Sequence, residues 1–127
     1  LLLDTHVVIW ALAAPQRIPA FISQSLRSLE NQLFISAACA WEIAIKRSRG
    51  RLEFPTEDFE VLLARLGATH LPISHTHGTV AGALPRHHAD PFDRILIAQA
   101  LVEDLTLVTS DAAIMRYDVR VLGTTPA

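Results

Sequence analysis

A chain of 127 residues, half of them apolar and 19% charged, is long enough for one packed domain and too apolar for a disordered tail. Its formal net charge of -2 gives no overall attraction for nucleic acid, so any such binding must come from a local patch. The single cysteine, Cys39, excludes an internal disulfide and a cysteine-rich zinc site.

Residues 1–3 read as the end of a buried strand, and Asp4-Thr5-His6 as the turn into a helix carrying Val7, Val8, Ile9, Trp10 and Leu12. The apolar opening has some features of a secretory leader, but Asp4 and His6 interrupt it and it carries no basic segment. No apolar run reaches the roughly 18 residues of a membrane span, so a cytoplasmic protein is expected. Asp4 falls at a strand's carboxyl end, the edge of an open α/β sheet where ligands bind, although aspartate before a helix is also an ordinary N-cap. Pro15 and Pro19 bracket a loop, and Phe21, Ile22, Leu26 and Leu29 have helical spacing over residues 20–29.

Residues 32–35 read as a second strand, Ser36 as an N-cap, and residues 37–49 as a helix stopped by Gly50. Within it Glu42 stands among Trp41, Ile43 and Ile45, so it either pairs with Lys46 at i+4 or faces a site that compensates its charge. Lys46-Arg47-Ser48-Arg49-Gly50-Arg51 places four basic residues in six, suited either to substrate phosphates or to complementing the dipole of the helix end. Pro55-Thr56-Glu57-Asp58 opens another helix, with Phe59, Leu62, Leu63 and Leu66 on its buried side and Gly67 as its stop.

Residues 68–73 give a third strand, Ser74 caps a short helix to about Ala83, and residues 84–89 form a loop. His75-x-His77 and His87-His88 lack the i,i+4 spacing of a helical zinc pair, and no zinc site is expected. Asp90-Pro91 then reads as an N-cap followed by proline at the first helical position. Asp93 falls in the first turn, off the face of Ile95, Leu96, Ala98 and Val102, with its carboxylate expected to point outward. Residues 105–109 form a strand, Ser110-Asp111 repeats the position of Asp4, a short helix carries Ile114, Met115 and Tyr117, and residues 119–122 form a last strand. The alternation implies an α/β fold, a mainly parallel central sheet flanked by helices, in a single domain over residues 1–127.

Asp4 and Asp111 follow strands, Asp93 opens a helix, and Glu42 lies on a helix that could bring it to the same sheet edge. Close carboxylates relieve their repulsion by taking up a proton or a cation. An oxygen donor set without histidine suits Mg²⁺ or Mn²⁺, which activate water and stabilise charge on a phosphodiester. Asp90, beside Asp93, is a further acid that could touch such an ion. The basic run of Lys46, Arg47, Arg49 and Arg51 would hold substrate phosphates.

The chain resembles the PIN-domain ribonucleases, and among them the VapC-type toxins of type II toxin–antitoxin pairs. The resemblance is carried by Leu2-Leu3-Asp4-Thr5-His6, by Ser36-Ala37-Ala38-Cys39-Ala40-Trp41-Glu42-Ile43-Ala44-Ile45-Lys46, by His88-Ala89-Asp90-Pro91-Phe92-Asp93-Arg94 with Ile97-Ala98-Gln99-Ala100, and by Leu107-Val108-Thr109-Ser110-Asp111. It implies that Asp4, Glu42, Asp93 and Asp111 take the family's acidic positions. It also implies a Mg²⁺- or Mn²⁺-dependent endoribonuclease, usually a homodimer, held inactive by a cognate antitoxin protein. Asp4 and Asp93 would then be the main metal ligands, with Thr5, Thr109 or Ser110 positioning water or a ligand. The alternative is a non-catalytic RNA-binding or antitoxin-binding module on the same fold, against which the complete quartet of acids weighs. A small-molecule phosphohydrolase would lack a glycine-rich phosphate loop.

Overall fold

The computed structural model describes residues 1–50 and 58–123. Five strands, β1 (Leu2–Leu3), β2 (Leu33–Ser36), β3 (Ala68–Leu71), β4 (Leu107–Thr109) and β5 (Val121–Gly123), form one parallel sheet in the order β3-β2-β1-β4-β5. Between them run α1 (Thr5–Ala13), α2 (Ala20–Arg27), α3 (Ala37–Ser48), α4 (Phe59–Leu66), α5 (His75–Ala83) and α6 (Pro91–Val102), with 3₁₀ turns at Pro15–Arg17 and Ile114–Arg116. The expected α/β architecture is therefore present. Among the described residues no helix is long and apolar enough to cross a membrane.

β1 is only two residues long yet central, and Leu2 and Leu3, which point to opposite faces, are both fully buried. Helices thus cover the sheet on both sides, as parallel strands require. The chain steps outward from β1 through β2 to β3 and then returns to β4 on the other side of β1. That reversal leaves a crevice at the carboxyl ends of β1 and β4, the place where open α/β sheets bind ligands.

Several element ends differ from the sequence expectation for physical reasons. β3 stops at Leu71 rather than residue 73 because Pro72 cannot donate to the ladder. α2 ends at Arg27, which leaves Leu29 fully exposed instead of on a buried helical stripe. β4 and β5 begin at Leu107 and Val121, where the Leu107–Val121 register sets in. The basic end of α3 closes with Gly50 at φ +64, a left-handed position that favours glycine. Asp58 caps α4 by accepting the Glu60 N–H at 3.1 Å, while the expected opening at Pro55-Thr56-Glu57 lies outside the described residues. His77 is structural: its Nδ1 accepts the Ser74 N–H at 2.9 Å in a capping box, and its Nε2 sits 2.9 Å from Glu103 at the end of α6.

Candidate active site

Asp4 leaves β1 as the N-cap of α1, and both of its oxygens are held. Oδ1 accepts the Val7 N–H at 3.1 Å, and Oδ2 accepts the hydroxyl of Thr109 from the end of β4. Thr109 Oγ1 in turn accepts the Asp111 N–H at 3.0 Å, so one buried hydroxyl joins the acid after β1 to the acid after β4. Asp4 is only 2% exposed, and burial pushes its pKa up despite the bonds from Thr109 and Val7.

α6 supplies the next pair. Asp90 Oδ1 accepts the Phe92 N–H at 2.8 Å and the Asp93 N–H at 3.4 Å, so Asp90 is the expected N-cap. Asp93 does not point outward as expected: its Oδ2 lies 2.7 Å from His88 Nε2, which also stands 3.0 Å from Asp111 Oδ2. Burial and then the charge of Asp90 push Asp93 up to about 6, against the lowering effect of His88. Burial alone would lower His88, but the carboxylates of Asp93 and Asp111 outweigh it and hold the imidazole above its ordinary value. Asp111 Oδ1 accepts the Ala113 N–H at 2.8 Å, which fixes the carboxylate with Oδ2 free for the imidazole.

Beside the expected acids stands His88, which sequence reasoning kept out of the cluster. Its Nε2 and one oxygen each of Asp93 and Asp111 lie within 4.8 Å of one another, close enough to share one ion. The imidazole is held there by its own loop. The His88 N–H donates to Tyr117 Oη at 2.9 Å, that hydroxyl donates to the Pro85 carbonyl at 2.7 Å, and Arg94 donates to the His88 carbonyl at 3.3 Å.

Glu42 lies on α3, where it is buried at 8% exposure. Lys46 Nζ lies 3.3 Å from its Oε2, but Oε1 is buried without a hydrogen-bond partner. A buried carboxylate oxygen with no donor is costly, and a water, a ligand or an ion would relieve it. Asp4 and Glu42 both act on the Cys39 thiol, which burial pushes up to about 12 and keeps as an inert part of the core. Glu42 and Asp90 also line an open cleft of about 870 Å³, together with Lys46, Arg49, Trp10 and Arg17. Raised carboxyl pKa values, an orphaned carboxylate oxygen and a donor set of oxygens with one imidazole fit a divalent cation.

A model of the PIN domain matches residues 1–120. The chain belongs to the PIN-domain family. Ribonuclease VapC22 of Mycobacterium tuberculosis is 33% identical over 113 residues, which cover 87% of this chain and 85% of that protein, so the chain is a VapC-type member. Two solved structures share the fold. One is a toxin–antitoxin complex from Klebsiella pneumoniae, with TM-score 0.70, 18% identity, and 99% of this chain and 98% of that one covered. The other is VapBC2 from Rickettsia felis bound to a DNA fragment from its promoter, with TM-score 0.68, 17% identity and 96% of each chain covered.

Within this PIN domain the remaining candidates divide by position. Thr5 is buried at 2% exposure and donates its hydroxyl to Cys39 Sγ at 3.5 Å, so it packs beneath the site and offers no surface to a substrate. Ser110 and Arg47 are exposed, and Lys46 and Arg49 reach the cleft. Arg51 lies outside the described residues. His88 and Arg94 are the participants that sequence reasoning left without a role; both stand beside Asp90 and Asp93, and that adjacency was the one signal available.

Proposed function

We propose that this PIN domain is a Mg²⁺- or Mn²⁺-dependent endoribonuclease, the toxin of a toxin–antitoxin pair, with Asp4, Glu42, Asp93 and Asp111 as its acidic site. The observation that carries the reading is the gathering of Asp4, Asp93 and Asp111 through Thr109 and His88 at the sheet's carboxyl edge, with Glu42 Oε1 buried and unpartnered and Asp93 raised to about 6. Structural acids at helix starts need neither feature.

Asp4, Asp93, Glu42 and Asp111 would hold the cation, with His88 Nε2 near enough to Asp93 and Asp111 to share it and Asp90 kept to its capping role. When bound, such an ion supplies a water of lowered pKa and a positive charge facing the phosphodiester. Thr109 fixes the rotamer of Asp4, and His88 keeps Asp93 and Asp111 together while the ion is absent. Lys46 and Arg49 would bind RNA phosphates along the cleft, with Arg47 and Ser110 at its exposed surroundings. The Glu42–Lys46 contact at 3.3 Å would loosen as the acid turns to the ion, releasing the ammonium to the substrate.

A cognate antitoxin is inferred because the solved relatives include toxin–antitoxin complexes. A homodimer and a cytoplasmic location belong to the same proposal, as does one nuclease domain over residues 1–127. The test is incubation of mixed cellular RNA with the protein in Mg²⁺, Mn²⁺ or EDTA, with the new ends mapped. Cleavage should need either cation and vanish in Asp93→Asn. Undiminished cleavage in EDTA would overturn the cation role, and RNA binding without cleavage in either cation would favour a non-catalytic module.

A further inference from the structure

The cleft beside the acids has a second wall that hydrolysis does not use. His6 and Trp10, one turn apart on α1, and Arg17 from the following 3₁₀ turn line it. The Arg17 guanidinium lies 5.1 Å from the centre of the Trp10 ring, within cation–π range. The His6 ring stands 6.4 Å from the same indole at 54°, so the two rings flank each other without stacking. Trp10 is half-buried, and both of its neighbours are exposed, which leaves part of the indole open to the cleft. Lys46 and Arg49 line the same space, as does Glu42.

One concavity is therefore lined by an indole, by a cation on one face of that indole, and by further cations. A flat heterocycle tethered to an anionic backbone matches all three, because stacking uses the ring while arginine and lysine take the phosphates. A duplex keeps its bases stacked on one another and cannot present one to the indole. Resting on the ribonuclease reading above, we infer that Trp10, flanked by His6 and Arg17, is a stacking subsite for one unpaired nucleobase of the RNA strand adjoining the scissile phosphodiester. The site thereby selects single-stranded RNA and, since every base has a π-face, tolerates any base at that position.

The test uses full-length Asp93→Asn protein to avoid cutting, with Trp41→Phe so that Trp10 is the only fluorophore of its kind. Three probes are titrated: a short single-stranded oligoribonucleotide, the same strand with its bases removed, and the corresponding duplex. The base-bearing strand should quench Trp10 emission, and the abasic strand and duplex should not. Trp10→Leu should weaken the base-bearing strand roughly 5- to 150-fold, leave the abasic strand and the salt slope unchanged, and be largely rescued by Trp10→Phe. Quenching is read on the native Trp10 side chain and so does not depend on how well the leucine variant folds. Unquenched emission with equal affinity for base-bearing and abasic strands would overturn the subsite while leaving the nuclease reading in place. Failure of the parent protein either to bind or to cut RNA would overturn both.

Discussion

Asp90 and Asp93 sit three residues apart at one helix start, and their oxygens do different work. Asp90 Oδ1 takes two backbone N–H groups, whereas Asp93 faces His88 and caps nothing. Asp90→Ser keeps a capping oxygen, so Mn²⁺ affinity should stay within about tenfold of the parent, or about 1.4 kcal/mol. Asp93→Asn should fold and lose most of its Mn²⁺ binding by calorimetry; the reverse order would move the ligand to Asp90. Proton linkage gives a second expectation at the same residue. Asp93 titrates near 6 in the folded protein against about 3.9 unfolded, so the folded state holds the proton more tightly. Its stabilising contribution is complete below the unfolded value and is lost as pH rises through about 6, about 3 kcal/mol at most before solvent screening of this partly exposed carboxyl reduces it. Asp4 is also raised, and so is His88, whose contribution likewise disappears as pH rises through its folded pKa. Metal-free protein should therefore melt higher at pH 5 than at pH 8, and saturating Mn²⁺ should narrow the gap by competing with the protons. An equal gap with and without Mn²⁺ in thermal melts would remove Asp93 from the proposed ligands.

Between elements, Arg94 is the tie that makes the site possible. From α6 its Nη2 donates to the carbonyls of Ala81 and Leu84 at 2.8 and 3.0 Å, and its Nη1 to Pro85 at 3.0 Å and His88 at 3.3 Å. One guanidinium thus satisfies the open end of α5 and pins the loop that carries the imidazole. Arg94→Met should cost about 2–4 kcal/mol in urea unfolding, because several partly buried carbonyls lose their donor together. Hydrogen exchange at the His88 amide should accelerate more than at Leu96 in the core of α6; uniform acceleration would mean general destabilisation instead. None of this was legible in the sequence, since the acceptors are backbone carbonyls and leave no residue signature. Local patterns were legible: strand followed by aspartate at Asp4 and Asp111, and Asp90-Pro91 as a helix start. Thr5 misled because a hydroxyl beside an acid looks like a ligand, while the phase of α1 turns it to Cys39. His88 escaped because its partners are five and 23 residues away, through a loop and across the sheet edge, where no periodicity operates.

For the molecule as a whole, a net charge of -2 leaves RNA binding to the distribution of charge rather than its sum. Acids occupy the crevice at β1 and β4, and the basic end of α3 borders the cleft beside it. In the proposed ribonuclease such a layout would hold a strand by its phosphates at the rim and keep its backbone off the carboxylates until a cation intervenes. The alternative for these arginines is complementing the α3 dipole, which would concern stability and leave binding untouched. The two roles separate in the salt dependence of binding to Asp93→Asn protein. Each lost phosphate contact on a single strand should flatten the slope of log K against log salt by about 0.7. Arg49 lines the cleft and Arg47 does not, so Arg49→Gln should carry most of that change and Arg47→Gln little. Lys46, already 3.3 Å from Glu42, should contribute less than Arg49. Arg120, exposed and paired with Asp104 at 2.9 Å, is the control whose neutralisation should leave the slope alone. Equal slopes for the parent, Arg49→Gln and Arg120→Gln would assign the basic end of α3 to its helix and require the RNA backbone to take another path.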